Sequence, residues 1–348
     1  MMRILSGSWL LLVLILKGTS LCAQVSVRTE HPIADAPLPN SALAIDAAKG
    51  YLLSEIRQKV YYVTDGIYQM MFIVTGKGVV VVDAPPSIGA NMLKAIREVT
   101  SEPVTHVIYS HSHPDHIGAA QLFPANAIYI SGARSARELS VHNKAKGMIP
   151  FGAFTGGQPV PTPTLVFTDS MNLVVGNKII KLLHIDGPAH SAEDIIVYLP
   201  AEKIVMLVDI VFPGWIPFEQ VAYAVDIDGY QQVQQYILSL NADVLVGGHW
   251  SKLGTRQDII NNINYINDIL KMLAEGFQQV DFAPIAQRVG KHNINLLMET
   301  YFDAVAVYAA SKVQAKWIGV LSGTDVWTYS HARRLLSFVR DSQVTITP

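Results

Sequence analysis

Cysteine is almost absent from this chain. Cys22 is the only one in 348 residues, and it lies in a leader-like N-terminal segment, so the rest of the chain has no disulfide to staple it and no thiolate to offer a metal. Charge is sparse as well: 16% of the residues are Asp, Glu, Lys or Arg, the formal net charge is -2, and no basic run is present to neutralise phosphates. A nucleic-acid partner is therefore not expected. Repeats and low-complexity tracts are missing, while half of the residues are apolar, which is the profile of a folded globular protein. No apolar run is long enough to span the roughly 30 Å hydrocarbon layer of a bilayer.

What is present begins with the N-terminus. Arg3, the apolar run Trp9 to Leu16 and a short polar stretch ending near Ala23 form the three-part pattern of a secretory signal peptide over residues 1–23. The mature chain is expected to start near Gln24, exported to the periplasm or beyond. Lipid attachment at Cys22 is disfavoured, because Leu21 is bulky where a small residue normally precedes such a cysteine.

A Pro-rich stretch from His31 to Asn40 leads to a predicted helix over Ala42 to Tyr51. The run Tyr68 to Val82 then reads as a hairpin around Gly76-Lys77-Gly78, and its second strand, Val79 to Val82, is apolar on both faces and so buried. A helical pattern over Ile88 to Val99 and a strand over Val104 to Ser110 follow. Further strands are predicted at Ala127–Ser131, Lys178–Ile185, Asp194–Pro200, Lys203–Asp209 and Asp243–Gly248. This alternation points to mixed α/β layers. Between them the Gly- and Pro-rich stretch Lys146–Thr164 carries Met148, Ile149, Phe151 and Phe154, either a lid with apolar teeth or an ordinary surface excursion. After His249 the pattern turns helical: Ile259, Ile263, Ile266, Leu270 and Leu273 share a face, and Asn295–Trp317 and His331–Arg340 read as helices. Residues 24–254 are expected to form the α/β domain and 255–348 a helical extension, whose apolar content suits burial on the core or contact between copies.

The stretch Ser110–Gly118, "SHSHPDHIG", concentrates chemistry. In a chain without usable cysteine, zinc must be held by imidazole and carboxylate, and His111, His113, Asp115 and His116 offer four such groups in the loop leaving a buried strand. Alternate residues of an extended segment point the same way, so His111 and His113 are placed to clamp one ion, with Asp115 and His116 facing a second. His190, Asp209 and His249 each follow an apolar strand and supply further ligands. Five of the eleven histidines share this explanation. His106 and His184, inside or near the end of strands, read as hydrogen-bonded framework residues, and His31, His142, His292 and His331 as surface residues.

"HSHPDH" fits a His-x-His-x-Asp-His signature, and with His190, Asp209 and His249 following in order the chain resembles the metallo-β-lactamase-fold superfamily of metallohydrolases. The resemblance runs from about Tyr61 to Trp250, and "VVVVDAPP" is similar to the family's strand ending in Asp. It implies an α/β fold, a four-layer αβ/βα sandwich with two metal ions at the open edge of its sheets, here followed by a C-terminal helical extension. It also implies His111, His113 and His190 on one ion, Asp115, His116 and His249 on the other, Asp209 between them, and Asp83 behind, where a carboxylate fixes the orientation of a ligand histidine. Two Zn2+ are the expected ions; iron and manganese accept the same ligands. A bridging hydroxide would attack the substrate, and Asp115 would shuttle the proton.

Asp209 bears on the substrate. Family members with Asp at that position include lactonases, glyoxalase-type thioesterases and phosphodiesterases, whereas true β-lactamases have Cys or Ser there. Phe151, Phe154, Phe212, Trp215, Phe218 and Trp250 near the ligands suit a small molecule with an apolar portion, although aromatics are as often plain core. The expected activity is hydrolysis of an ester or lactone, for which an acyl-homoserine lactone is a fitting example. The alternatives are a β-lactam amidase, a phosphodiesterase, or a non-catalytic metal-binding or interaction protein.

Overall fold

The computed structural model describes residues 44–142, 152, 154–250 and 252–341; the N-terminal segment read as a leader, Cys22 and the Pro-rich stretch lie outside them. One sheet runs β1 (Leu52–Arg57), β2 (Val60–Thr64), β3 (Gln69–Val74), β4 (Val79–Val82), β5 (Val104–Ile108), β6 (Ile128–Gly132) and β7 (Leu165–Phe167), neighbours in that order. The first four strands pair antiparallel and β4 to β7 pair parallel. The second sheet has the order β12 (Val244–Val246), β11 (Ile204–Met206), β10 (Ile195–Leu199), β9 (Lys178–His184) and β8 (Met171–Val175). Here β11 and β12 are parallel, while β8 to β11 alternate in direction. Two reversals separate β9 from β11, so β9, β11 and β12 all end at the same edge.

The sheets face one another, and side-chain alternation divides each buried strand between the inter-sheet core and the core outside its own sheet, three cores in all. From β4, Val80 and Val82 point between the sheets while Val79 and Val81 point outward. In β10, Ile195, Val197 and Leu199 enter the same inter-sheet core, and Ile196 and Tyr198 face the other way. The outer face of the first sheet is covered by α1 (Asn91–Val99), through Met92, Ala95 and Ile96, and by Leu139 of α3 (Ala133–His142). A one-turn helix, α2 (Pro114–Ile117), follows β5. Helix, sheet, sheet and helix are thus the four layers expected.

The second sheet's outer face packs on α5 (Ile227–Ser239) and on the C-terminal helices α6 (Arg256–Gln279), α8 (Ile294–Trp317) and α9 (Thr324–Asp341), with α7 (Phe282–Val289) lying against α8. Ile196, Val205 and Leu245 of the sheet belong to one apolar cluster with Ile263, Ile266 and Leu273 of α6, Val313 of α8 and Leu335 of α9. These helices therefore extend the core rather than hang from it. None of the described helices is long and apolar enough to cross a membrane.

The helix expected over Ala42–Tyr51 does not form among its described residues. The Asp46 carboxylate accepts the amides of Ala48 (2.9 Å) and Lys49 (3.3 Å), and Gly50 at φ +74° reverses the chain toward a bridge between Asp46 and Tyr51. An aspartate that satisfies nearby amides competes with the helix for them. The strand expected over Lys203–Asp209 stops at Met206, leaving Asp209 beyond the ladder. His331 is not at the surface: it is fully buried in α9, because helical periodicity turns it inward onto Tyr265 of α6.

One buried side chain ties this core to the loop after Asp209. Asn262 of α6 accepts from the Phe212 amide (3.1 Å) and donates to the carbonyls of Phe212 (3.3 Å) and Trp215 (3.2 Å). Asn262→Ala strands these backbone groups out of water, so a loss of about 1–3 kcal/mol is expected. Urea unfolding checks this; an unchanged midpoint would show that the loop does not need the clamp.

Candidate metal centre

The C-terminal ends of five strands meet at the shared edge and deliver the polar residues there. Beyond β4 lies Asp83, beyond β5 the histidine-rich loop, beyond β9 His190, beyond β11 Asp209 and beyond β12 His249. All seven residues read as ligands from the sequence converge in two groups that could each hold an ion: His111, His113, His190 and Asp209 in one, and Asp115, His116, Asp209 and His249 in the other. Within each group the candidate atoms lie within 4.8 Å of one another. Asp209 is common to both.

Asp209 Oδ2 is 3.1 Å from His116 Nε2, 3.2 Å from His190 Nε2 and 3.8 Å from His111 Nε2, and its Oδ1 is 2.9 Å from His249 Nε2. Its backbone sits at φ +62°, as does that of Asp83 at +66° and Trp250 at +64°, conformations uncommon for non-glycine residues and concentrated at functional sites. Gly248, at φ +89°, could not become alanine without its Cβ meeting Val208 Cγ1 at 2.6 Å. The chain is pinched tight around the carboxylate.

Two of the ring nitrogens not aimed at the centre are tied back, whereas His116 Nδ1 and His190 Nδ1 are buried without a partner. His249 Nδ1 donates to the Ile67 carbonyl (3.0 Å), and His111 Nδ1 meets the Ser110 hydroxyl (2.9 Å). Such bonds fix which nitrogen remains free for an ion. His190 Nε2 and His113 Nδ1 approach to 3.0 Å, converging on one point. His111 Nε2 is buried without a hydrogen-bond partner, which is costly in an apolar interior and is what a divalent ion would relieve. The donor set thus fits metal.

Electrostatics agree. Burial alone would raise the Asp209 carboxyl, but His116, His249 and His190 outweigh it and hold it well below the usual range. Burial opposes charge on His116, yet Asp209 and Asp115 hold it up at about 10. His113 is pushed down to about 4 by burial and by His190, and His111 falls well below its ordinary value for the same kind of reason. Asp83 is pushed up to about 6 by burial; its Oδ1 accepts the Ser110 amide at 2.8 Å while Oδ2 is unpartnered. Its charge is felt at His116, consistent with a place behind that ring.

The centre opens into a cavity of about 320 Å³. Asp115, His113, His190, Asp209 and His249 form its floor, and Ile67, Phe212, Phe218 and Trp250 give it apolar walls. Of the expected aromatics, Phe212, Phe218 and Trp250 line it. Trp215 does not, but stacks on Trp250 at 4.3 Å and so backs the wall. Phe154 is 91% exposed and takes no part; Phe151, Met148 and Ile149 lie outside the described residues. The same stretch does border the site through Thr155, and Gly157 packs so closely on Gly118 that a Cβ at Gly118 would meet its Cα at 2.7 Å. Tyr68, Ala222 and Tyr223 also line the cavity and were not singled out from the sequence. Tyr68 had one signal, its place beside a strand start, which also describes ordinary core tyrosines. Its ring lies 4.7 Å from His249 and 5.4 Å from His116.

The other histidines play framework or surface parts. His106 bonds Thr105 Oγ1 (2.8 Å), and His184 Nδ1 lies 3.5 Å from the buried Glu193 carboxylate. His142 and His292 are exposed.

The high His116 value fixes a sign. Below about pH 10 the metal-free ring is protonated, so an ion must displace that proton, and affinity falls about tenfold per pH unit for each proton displaced as pH drops. Zinc titration of the metal-free protein at pH 7–8 is therefore expected to release protons, read as a heat that varies with the buffer's ionisation enthalpy; a buffer-independent heat would contradict it. Asp209→Ala is expected to lose at least one equivalent of bound zinc yet keep the wild-type circular dichroism, since the cores close without the site.

A family model for the metallo-beta-lactamase superfamily matches residues 63–249, just over half of the chain. The chain is 23% identical over 205 residues to the 2,4-dinitroanisole O-demethylase subunit alpha of Nocardioides sp., covering 58% of each. It is 21% identical over 169 residues to the linear primary-alkylsulfatase of Pseudomonas sp., covering 38% of this chain and 31% of that one. It thus spans 58% and 31% of the lengths of these two curated relatives. The solved structure of the stereoselective inverting sec-alkylsulfatase from Pseudomonas sp. matches with a TM-score of 0.53 at 15% identity, over 85% of this chain and 52% of that one. Residues 1–254 could not make up 85% of the chain, so this likeness of fold reaches into the C-terminal helices. The ligand-bearing strand ends, the facing sheets and the match over residues 63–249 together establish that the chain belongs to the metallo-β-lactamase superfamily.

Proposed function

We propose that this protein is an exported, dinuclear metal-dependent hydrolase of an uncharged ester or lactone with an apolar portion. One observation carries the reading: a seven-residue His/Asp cluster with one shared carboxylate opens into a cavity with apolar walls, and no Lys or Arg stands among the described residues that line it. Sulfate and phosphate esters carry a negative charge that such walls do not meet, whereas a neutral acyl group needs only shape and dryness. The leader-like N-terminus supports action outside the cytosol.

His111, His113 and His190 would hold one ion and Asp115, His116 and His249 the other, with Asp209 shared. Two Zn2+ bound there would supply Lewis acidity, bringing the pKa of water toward about 7 and polarising the scissile carbonyl. A structural zinc site closes with four protein ligands; a carboxylate shared between two groups, beside a cavity, argues for turnover instead. The apolar walls exclude bulk water and strengthen every charge interaction inside. Phe212 lies flat along His249 (5.7 Å, 25° between planes) and keeps that ring in place.

Asp115 stands at the cavity floor with its side chain a quarter exposed, where it can pass a proton to the departing alkoxide. Burial, together with the nearby charges of Asp115 and Asp209, drives the Tyr68 phenol's pKa upward. It therefore remains a protonated donor beside the Asp115 carboxylate.

The test is a substrate panel on the metal-loaded protein: an acyl-homoserine lactone, p-nitrophenyl esters, a β-lactam, a phosphodiester, an alkyl sulfate and an aryl methyl ether. Turnover is expected for the lactone or the carboxylic esters, lost with a chelator and restored by zinc. Asp115→Asn is expected to lower kcat by about 10²–10⁴-fold. Turnover confined to the alkyl sulfate, the phosphodiester or the ether, or metal binding with no turnover at all, would sink the reading.

A further inference from the structure

One wall of the cavity, lined by Ala222 and Tyr223, is built from an unusual piece of backbone. Gln220, Val221, Ala222 and Tyr223 are four consecutive non-glycine residues at φ +52°, +60°, +52° and +53°, within and just after the short turn α4 (Glu219–Ala222). Side chains crowd the carbonyls in this left-handed form, so single residues adopt it rarely and runs of them hardly at all. Such a run persists only where its surroundings over-determine it.

Those surroundings are α9. The Gln220 amide donates to Ser330 Oγ (3.1 Å), Arg334 donates to the Ala224 carbonyl (2.9 Å), and His331 Nε2 donates to the Phe218 carbonyl (2.8 Å). With Nε2 as donor, His331 Nδ1 accepts from the Tyr265 hydroxyl (2.8 Å), which also meets Thr328 Oγ1 (2.9 Å). Burial pushes the His331 ring down to about 4, so this neutral tautomer holds at working pH. Trp327 packs on Phe218 with ring centroids 5.1 Å apart. Phe218, Ala222 and Tyr223 line the cavity, while Ser330, His331 and Arg334 do not reach it.

We infer that α9 sets which apolar chains the site accepts: Ser330, His331 and Arg334 are positioning residues that hold the left-handed turn as the far wall of the acyl pocket. This rests on the ester or lactone reading for the identity of the chain, not for the wall itself. Releasing the turn lets it relax toward the right-handed form, which carries Phe218 and Tyr223 off their positions and changes the space left for the substrate's apolar part. The reacting end, at the metal ligands, is untouched. The inference therefore concerns KM for long chains more than kcat for short ones.

Arg334→Ala, Arg334→Lys and Ser330→Ala in the full-length, metal-loaded protein test it, with circular dichroism and zinc content as controls. Hydrogen exchange of peptides covering residues 217–226 is expected to quicken at least tenfold in Arg334→Ala while residues 91–99 stay unchanged, with partial rescue in Arg334→Lys. The kcat/KM ratio of p-nitrophenyl decanoate to p-nitrophenyl acetate is expected to shift at least fivefold, through KM for the decanoate. If the wild type cleaves neither ester, the ester reading fails separately, and exchange with added 1-decanol or 1-butanol decides the inference. Protection of 217–226 by decanol in the wild type and its loss in Arg334→Ala supports it. Should Arg334→Ala fail to fold, Ser330→Ala is read by the same measures. A folded variant with unchanged exchange in 217–226, an unchanged chain-length ratio, or a wild-type segment indifferent to decanol overturns it.

Discussion

The Asp209 carboxylate is the constraint on which this structure is organised. It is buried, it sits on a left-handed backbone, and its two oxygens are met by four imidazoles within 3.8 Å. An isolated carboxylate in such a place would take up a proton; this one is held ionised by its neighbours. The histidines in turn come from three separate strand ends, so the group can exist only if both sheets stop at a common edge. The architecture of two facing sheets is what makes that possible, because parallel strand ends arrive side by side without any connecting loop crossing the site.

The chain leaving Asp209 shows how the C-terminal helices reach the candidate site. Asn262 of α6 holds Phe212 and Trp215, and Ser322, just ahead of α9, exchanges backbone hydrogen bonds with Gly214 and Ile216 at 3.0 and 3.1 Å. Farther along, α9 holds residues 218–224. From Asp209 to Ala224, then, the segment that forms one side of the cavity is fastened to helices lying far downstream in sequence. The apolar cluster that joins those helices to the second sheet makes the fastening rigid. A metallo-β-lactamase sandwich without them would keep its candidate ligands but lose the helices that fasten residues 212–224.

Much of this was legible in the sequence, for identifiable reasons. Metal ligation demands a few residue types at strand ends, and in a chain with no usable cysteine those types are rare enough to stand out; hence His111 through His249 were legible as candidates by type and strand-end placement, with their division between two ions implied by the family resemblance, and the structure brings them together. The layers were legible because strands buried on both faces, such as Val79–Val82, leave a signal that does not depend on partners. The cavity walls were only half legible. Phe212, Phe218 and Trp250 adjoin ligands in sequence, but Ala222 and Tyr223 gain their place from a left-handed turn that no residue type announces. The helix expected before Tyr51 failed for a local reason, since the Asp46 side chain takes amides that a helix would need.

His331 shows the limit most plainly. As one histidine among eleven, with arginines two and three positions on, it reads as a surface residue. Only tertiary packing reveals that it is buried between Tyr265 and the Phe218 carbonyl. A buried imidazole bonded at both nitrogens has one stable tautomer and one stable orientation, and that is what a strained backbone segment needs from its support. A lysine or serine could satisfy one end of this bridge but not both, since the position must accept from a phenol on one side and donate to a carbonyl about an imidazole's width away on the other. The same residue type thus serves two unrelated purposes in this chain: at the sheet edge histidines converge in groups that could hold an ion, and in α9 one histidine with both nitrogens bonded fastens the segment that follows Phe218.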